Sequence, residues 1–335
     1  MSNMKSSLIF SAIKNTKKIL INIHPHPDLD AVGSALAFKK VIEKIDNKKT
    51  VLIVSPEVVR EDFSFLGEEV KKIKVIDFSS FNFSSFDLFL ILDSSSADRV
   101  TGSKKISLPQ AIKKIVIDHH LNNQINGDIK MIEDKACATC EILFKLFLDW
   151  KIKIDEKIAT LLLAGIVGDT VFFRHFSNVK IQWRLISQLL DLGADFNLIK
   201  DNFFSYSFTF VKFLGEFLRR LKIDGGVING RRIKFAWAAM NFEDYKKFNM
   251  PATGQSLVAD LFLAAIKEVD FGFLILEKEK NKLSLSFRSK PKINVAKIAQ
   301  KLGGGGHKNA AGATIEGEFE KEIEKILKTV KSSNI

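Results

Sequence analysis

Along the first half of the chain, short and almost unbroken apolar runs alternate with segments whose apolar residues recur every three or four positions. The runs at 18–23, 50–54, 74–76, 88–92 and 114–117 have the pattern of strands buried on both faces. Between the first two, Ala35, Phe38, Ile42 and Ile45 share one side of a helix over about 31–45. Two further helices are predicted near 140–150 and 155–166. Strands alternating with helices predict an α/β domain built on a mostly parallel sheet.

The second half reads differently. Residues 191–207 include Gly193 and a stretch that fits neither period cleanly, which marks a linker. Beyond it the pattern predicts a helix over 208–221, a turn at Asp224-Gly-Gly and a strand over 232–238. A helix over 254–267 precedes strands over 271–276 and 283–288, which are joined by a charged hairpin turn at 277–282. Another helix starts at Asn294. This is a smaller α+β domain with an antiparallel pair. The expected division is a first domain over 1–190, a linker over 191–207 and a second domain over 208–335.

Composition changes this picture little. A chain of 335 residues accommodates two domains, and its 46% apolar content is ordinary for a globular protein. The longest apolar stretch, 158–168, falls far short of the roughly 20 residues that span a bilayer. The N-terminus reads as no signal peptide, so a cytoplasmic protein with no membrane partner is expected. The net charge of +12 is uneven: residues 1–150 hold 21 Lys/Arg against 19 Asp/Glu, and 151–335 hold 30 against 20. That excess suits solvated lysine-rich faces, and equally a polyanionic substrate. Cys137 and Cys140 form a lone C-x-x-C with no second pair to complete a zinc site. Cys140, Leu143, Phe144 and Phe147 share a helical face, so core packing is the expected role.

Four polar segments carry the chemistry: His24-Pro-His-Pro-Asp28-Leu-Asp30, Asp93, Asp118-His119-His120 and Gly168-Asp169-Thr170. The first three follow predicted strands, whose C-terminal ends border the ligand crevice of open α/β sheets. Carboxylates gathered there repel one another, and a pair of divalent cations is the natural counter-charge. Mixed oxygen and imidazole donors suit manganese. Asp28 or Asp30 could simply cap a helix, but capping leaves His24 unexplained. Adjacent histidines on an extended segment point to opposite sides, so one of His119 and His120 is expected to ligate and the other to act on phosphate. His26 is read as a substrate contact rather than a ligand. Near the C-terminus, Arg288 and the run Gly303, Gly304, Gly305, Gly306, His307 suggest a phosphate clamp.

In order and context, His24-x-x-x-Asp28-x-Asp30, Asp93, Asp118-His-His and Gly168-Asp resemble the four motifs of the DHH phosphoesterase superfamily. Phe287-Arg288-Ser289 and the segment 303–312 resemble the signature of its associated C-terminal domain. The tetraglycine-His ending differs from family II pyrophosphatases, the length is too short for RecJ exonucleases, and membrane helices are not seen, unlike in the membrane-bound cyclic-di-AMP phosphodiesterases. What remains resembles the compact NrnA-type group. The resemblance implies a DHH catalytic domain followed by a substrate-binding domain, with two manganese ions for which magnesium or cobalt could substitute. One ion would be held by His24, Asp28 and Asp93, the other by Asp30, Asp93, His119 and Asp169. His120 would face the scissile phosphate; Arg288, the amides of 303–306 and His307 would bind the substrate's terminal phosphate and nucleotide across the interdomain cleft. The implied substrates are short oligoribonucleotides and 3′-phosphoadenosine 5′-phosphate (pAp). A phosphodiesterase dedicated to linear or cyclic di-adenylate is the alternative. A binding module without catalysis is disfavoured, because every metal-motif position is filled. Oligomeric state, a homodimer included, stays open.

Overall fold

The computed structural model describes all residues except 1, 175, 177, 229–230, 249–254, 256–257, 260–262, 264–265, 291–292 and 334–335. The chain forms two compact units, residues 1–205 and 206–335.

The first unit opens with α1 (Ser2–Lys14) and then builds a six-stranded parallel sheet, ordered β3-β2-β1-β4-β5-β6. Its strands are β1 (Lys18–Asn22), β2 (Thr50–Ser55), β3 (Lys74–Val75), β4 (Leu88–Leu92), β5 (Lys113–Asp118) and β6 (Ile129–Ile132). Side chains alternate between two cores. Ile19, Ile21, Leu88, Leu90 and Leu92 pack beneath α2 (Leu29–Ile45), α4 (Thr139–Asp149) and α5 (Glu156–Asp169). Leu20, Val54, Phe89 and Ile91 face the opposite layer, which includes Val100 of the short α3 (Ala97–Thr101). Burial on both sides explains why the strands read as unbroken apolar runs. The strand order runs outward in opposite directions from β1 and β4, and this switch point creates the crevice at their C-terminal ends.

Two departures from the sequence expectation occur here. The first unit contains α1 and β6, which the apolar pattern did not announce. Within 191–207, α7 (Phe196–Phe203) follows α6 (Val179–Asp191). Asp195 accepts the Leu198 amide as its N-cap and Ile199 is fully buried, so this stretch is a packed helix of the first unit rather than an open linker.

The second unit holds a mixed sheet, ordered β11-β12-β10-β9-β8-β7, in which, among the described residues, only β8 and β9 pair in parallel. The strands are β7 (Lys222–Ile228), β8 (Arg231–Met240), β9 (Phe271–Glu279), β10 (Lys282–Ser289), β11 (Gly305–His307) and β12 (Ala310–Glu316). On one face α8 (Phe208–Arg219) packs Phe210, Phe213 and Phe217 against Met240 and Leu274. After the short α9 (Phe242–Tyr245), α10 (Val295–Lys301) and α11 (Phe319–Lys331) bury Ile298, Ile323 and Ile326 on the other face. Asp224-Gly-Gly lies inside β7, paired with residues 233–235 of β8, and is not a turn. The hairpin after β9 is tighter than expected: β9 continues to Glu279, and Asn281 takes the left-handed position (φ 64°). The helix expected over 254–267 falls largely outside the described residues.

Candidate metal centre

Three strand ends and one helix end converge on Asp93. The chain leaves β4 there with a left-handed backbone, φ 50°, which Asp tolerates better than most side-chain-bearing residues. The carboxylate is buried and meets three imidazoles. His24 Nε2 lies 3.3 Å from Oδ2, while His119 Nε2 and His120 Nδ1 lie 3.4 and 3.7 Å from Oδ1. Burial alone would raise its pKa, but His119 and His24 outweigh burial and hold it well below the usual carboxylate range.

His24 supplies the clearest test of whether a cation fits. Its Nδ1 lies 2.8 Å from the Pro25 carbonyl oxygen, which can only accept, so Nδ1 carries the proton. Nε2 is buried without a hydrogen-bond partner, 3.5 Å from Asp28 Oδ2 and close to Asp93. A histidine tied to a backbone carbonyl through one nitrogen, with the other turned among carboxylates, is how imidazole metal ligands are held. Burial disfavours a charged imidazole here, yet Asp28 and Asp93 together raise its pKa to about 10.

Asp28 caps α2 by accepting the Ala31 amide at 2.9 Å, so the capping role and a place in the cluster coexist. Asp30, in the first turn of α2, is fully buried. Its oxygens accept the Thr139 and Cys140 amides at 2.6 and 2.9 Å, buried donors at the start of α4 that have no partner within the helix. Burial and the nearby Asp93 and Asp169 push its pKa well up. Asp169 ends α5 and reaches His119 Nε2 with Oδ2 at 2.9 Å. Burial raises it to about 6, with His119 opposing.

The donor atoms fall into sets whose members lie within 4.8 Å of one another: His24, Asp28 and Asp93; and Asp30, Asp93, His119 and Asp169. These are the residues that the motifs group, and Asp93 belongs to both sets. A third set joins Asp93, His119 and His120. The two histidines therefore do not diverge as an extended segment would make them. Strand β5 ends at Asp118, the alternation stops there, and the rings stand 4.6 Å apart. The cluster is a His/Asp metal-chelating site of oxygen and imidazole donors, the composition that divalent transition ions take.

Sequence reasoning missed the supports of this centre. Asp118 Oδ1 accepts from His120 Nδ1 at 2.6 Å, and its Oδ2 accepts from Asn123 Nδ2 at 2.7 Å. Thr139 donates its hydroxyl to Asp93 at 3.2 Å. Asp118 stood in plain view before two histidines; Asn123 and Thr139 carried no signal. Cys140 is buried with its thiol against Asp30, and burial pushes both Cys137 and Cys140 up, away from a reactive thiolate. Both act in packing.

In the second unit, Arg288 lies one residue before the end of β10, beside Ala310 of β12, with Nη1 donating to the Phe287 carbonyl. Of the four amides that the sequence offers to a substrate, two are engaged within the domain. The Gly303 and Gly304 amides donate to the Gln300 and Ala299 carbonyls, closing α10, while Gly305 and Gly306 enter β11. A Cβ on Gly304 would lie 2.0 Å from the Gly312 oxygen, so close approach to β12 is what requires glycine there. His307 closes β11; its side chain lies outside the described part of the structure.

Residues 18–166 match the DHH family, N-terminal domain, and residues 242–333 match the DHHA1 domain. The chain is 25% identical over 332 residues to the bifunctional oligoribonuclease and PAP phosphatase NrnA of Thermus thermophilus, covering 98% of this chain and 94% of that one. It is 26% identical over 319 residues to the enzyme of the same name from Bacillus subtilis, covering 93% of each. The fold is that of an exopolyphosphatase-related protein from Bacteroides fragilis, with TM-score 0.85 at 23% identity over 98% of this chain and 96% of that one. With its chelating cluster at the DHH motifs and a DHHA1 domain later in the sequence, the chain belongs to the DHH family of phosphoesterases, in the DHH–DHHA1 architecture of the NrnA-type proteins.

Proposed function

We propose that this chain is a manganese-dependent hydrolase that cuts short oligoribonucleotides to mononucleotides and removes phosphate from pAp. The observation that carries the reading is the pair of donor sets sharing Asp93, with the buried Nε2 of His24, which makes no hydrogen bond, turned toward the carboxylates of Asp28 and Asp93. The substrate class comes from the two NrnA relatives that match nearly end to end.

In this reading His24, Asp28 and Asp93 hold one cation, and Asp30, Asp93, His119 and Asp169 the other. Two such ions supply positive charge for the phosphate and the leaving oxygen and activate water for attack. Asp93 must serve both sites, which accounts for its strained backbone and its buried, ionised carboxylate. The α4 amides fix both oxygens of Asp30, so its position does not depend on the substrate. His120 is oriented through Nδ1 by Asp118, which Asn123 holds in turn. Its ring is set to work on the phosphate and give a proton to the departing oxygen. Arg288, in the DHHA1 domain, grips a terminal phosphate and favours substrates of a few nucleotides.

The test is a panel on purified protein with manganese: RNA of 2, 5 and 24 nucleotides, pAp, and linear and cyclic di-adenylate. The reading expects mononucleotide release to be faster from the dimer than from the 24-mer, and a raised KM for the dimer in Arg288→Ala. Turnover confined to a di-adenylate would overturn the assigned substrate class. A 24-mer degraded as fast as the dimer, with Arg288→Ala unimpaired, would overturn the end grip.

A further inference from the structure

Helix α4 starts without a cap of its own: its N-cap residue is Ala138, whose side chain can accept nothing. The Asp30 carboxylate crosses over from α2 and takes that place, so a member of the chelating cluster completes the first turn of α4. Thr139, the first residue of the helix, touches this cluster twice. Its amide donates to Asp30 Oδ2 at 2.6 Å, and its hydroxyl lies 3.2 Å from Asp93 Oδ1. Asp93 is held ionised and an ionised carboxylate only accepts, so the hydroxyl is the donor. Fully buried, the Thr139 side chain meets no substrate and acts only through these carboxylates. The two oxygens of Asp93 face different donors. Oδ2 is turned to His24, of the set with Asp28, and Oδ1 to His119, of the set with Asp30 and Asp169. Both contacts of Thr139 therefore fall on the second set.

We propose that Thr139 is a positioning residue for one cation site, that of Asp30, Asp93, His119 and Asp169, and selectively sets its affinity. This rests on the two-cation reading above. A carboxylate shared by two sites must aim both oxygens at once, and rotation about its last side-chain bond spoils the aim. The Thr139 hydroxyl opposes that rotation at Oδ1, while the Thr139 amide keeps Asp30 in register with Asp93. Groups that hold a metal ligand in this way contribute about 10–100-fold to metal affinity. The other site has supports of its own: the Pro25 carbonyl orients His24 and the Ala31 amide orients Asp28. A cation bound there still draws Oδ2 into place when the hydroxyl is gone, so the loss falls on Oδ1 and the second site.

The experiment titrates the metal-stripped full chain with manganese, following free ion by electron paramagnetic resonance, in the wild type, Thr139→Val and Thr139→Ser. Valine nearly keeps the shape of threonine and keeps the backbone amide but has no hydroxyl; serine keeps the hydroxyl and loses a methyl. The wild type should bind two ions per chain. In Thr139→Val one ion should keep its affinity and the other weaken by about 10–100-fold, while Thr139→Ser should bind both as the wild type does. Added to Asp169→Asn, which disables the second site, Thr139→Val should leave the remaining ion unchanged. A urea melt of each metal-stripped variant reads the fold separately, and Thr139→Ala repeats the titration if valine unfolds the chain. Two ions of unchanged affinity without the hydroxyl would overturn the assignment, as would equal weakening of both. So would a serine variant as weak as the valine one, which would mean that the methyl's packing matters and the hydroxyl does not. A wild type that binds a single manganese would overturn the two-cation reading itself, and the role of Thr139 with it.

Discussion

Single residues divide the work at this centre in ways that substitution can separate. Asp93→Ala removes the carboxylate common to both donor sets, so metal content and turnover should fall together; near-normal rates at saturating manganese would contradict a shared ligand. His120→Ala should retain its metal, measured by elemental analysis, while kcat falls by about 10²–10⁴, the range for losing a general acid. Loss of metal instead would mean that His119 and His120 have exchanged roles. The pH dependence follows from His24. In metal-stripped protein its pKa lies near 10, so it is protonated at neutral pH and must release that proton to ligate. Manganese affinity should therefore rise between pH 6 and 9, by up to about tenfold per unit for one released proton. Calorimetry in two buffers of different ionisation enthalpy would count the protons, and a pH-independent affinity would contradict the ligand role. The clustered residues were legible because a carboxylate such as Asp93, after five buried apolar residues, is too costly to be incidental. The left-handed turn at Asp93 and the bond from Asp118 to His120 were not, since they depend on how the chain leaves the sheet.

At the level of elements, the close approach of α2, α4 and α5 behind Asp30 holds the first unit's site in place. A Cβ on Gly165 would lie 2.3 Å from Cys140 Sγ and 2.7 Å from Asp30 Oδ1. Gly→Ala in a helix interior ordinarily gains about 1 kcal/mol. Here Asp30 is pinned by two amides and Cys140 is fully buried, so neither neighbour can yield cheaply. The clash should win: Gly165→Ala is expected to lose roughly 1–3 kcal/mol in a urea melt and to weaken metal binding. A more stable variant would contradict this packing. The long periodic elements were readable, and β4 falls on the predicted residues 88–92. Elements with weak stripes were not. In α1 the buried residues Ser6, Ile9 and Ile13 form a narrow line, and β6 is a four-residue edge strand interrupted by Lys130. Asp224-Gly-Gly misled because glycine pairs there were read as a turn, whereas β7 uses them within an antiparallel ladder.

For the whole molecule, charge proved a poor guide and motif order a good one. Part of the positive excess in the second half is tied up locally: Arg219 and Arg220 hold Glu216 near pKa 2, and Lys331 pairs with Asp224. Among the described residues no helix is long and apolar enough to cross a membrane. The four motifs, by contrast, are brought to one crevice by a parallel sheet whose order reverses between β1 and β4, a consequence of topology that spacing along the chain anticipates. The central claim is that two cations sharing Asp93 hydrolyse very short RNA. Its most direct test is to titrate metal-stripped protein with manganese while following mononucleotide release from an RNA dinucleotide. The account predicts no release without the ion and a rate that reaches its plateau at two equivalents per chain. A plateau at one equivalent, or no release at any manganese concentration, would contradict it.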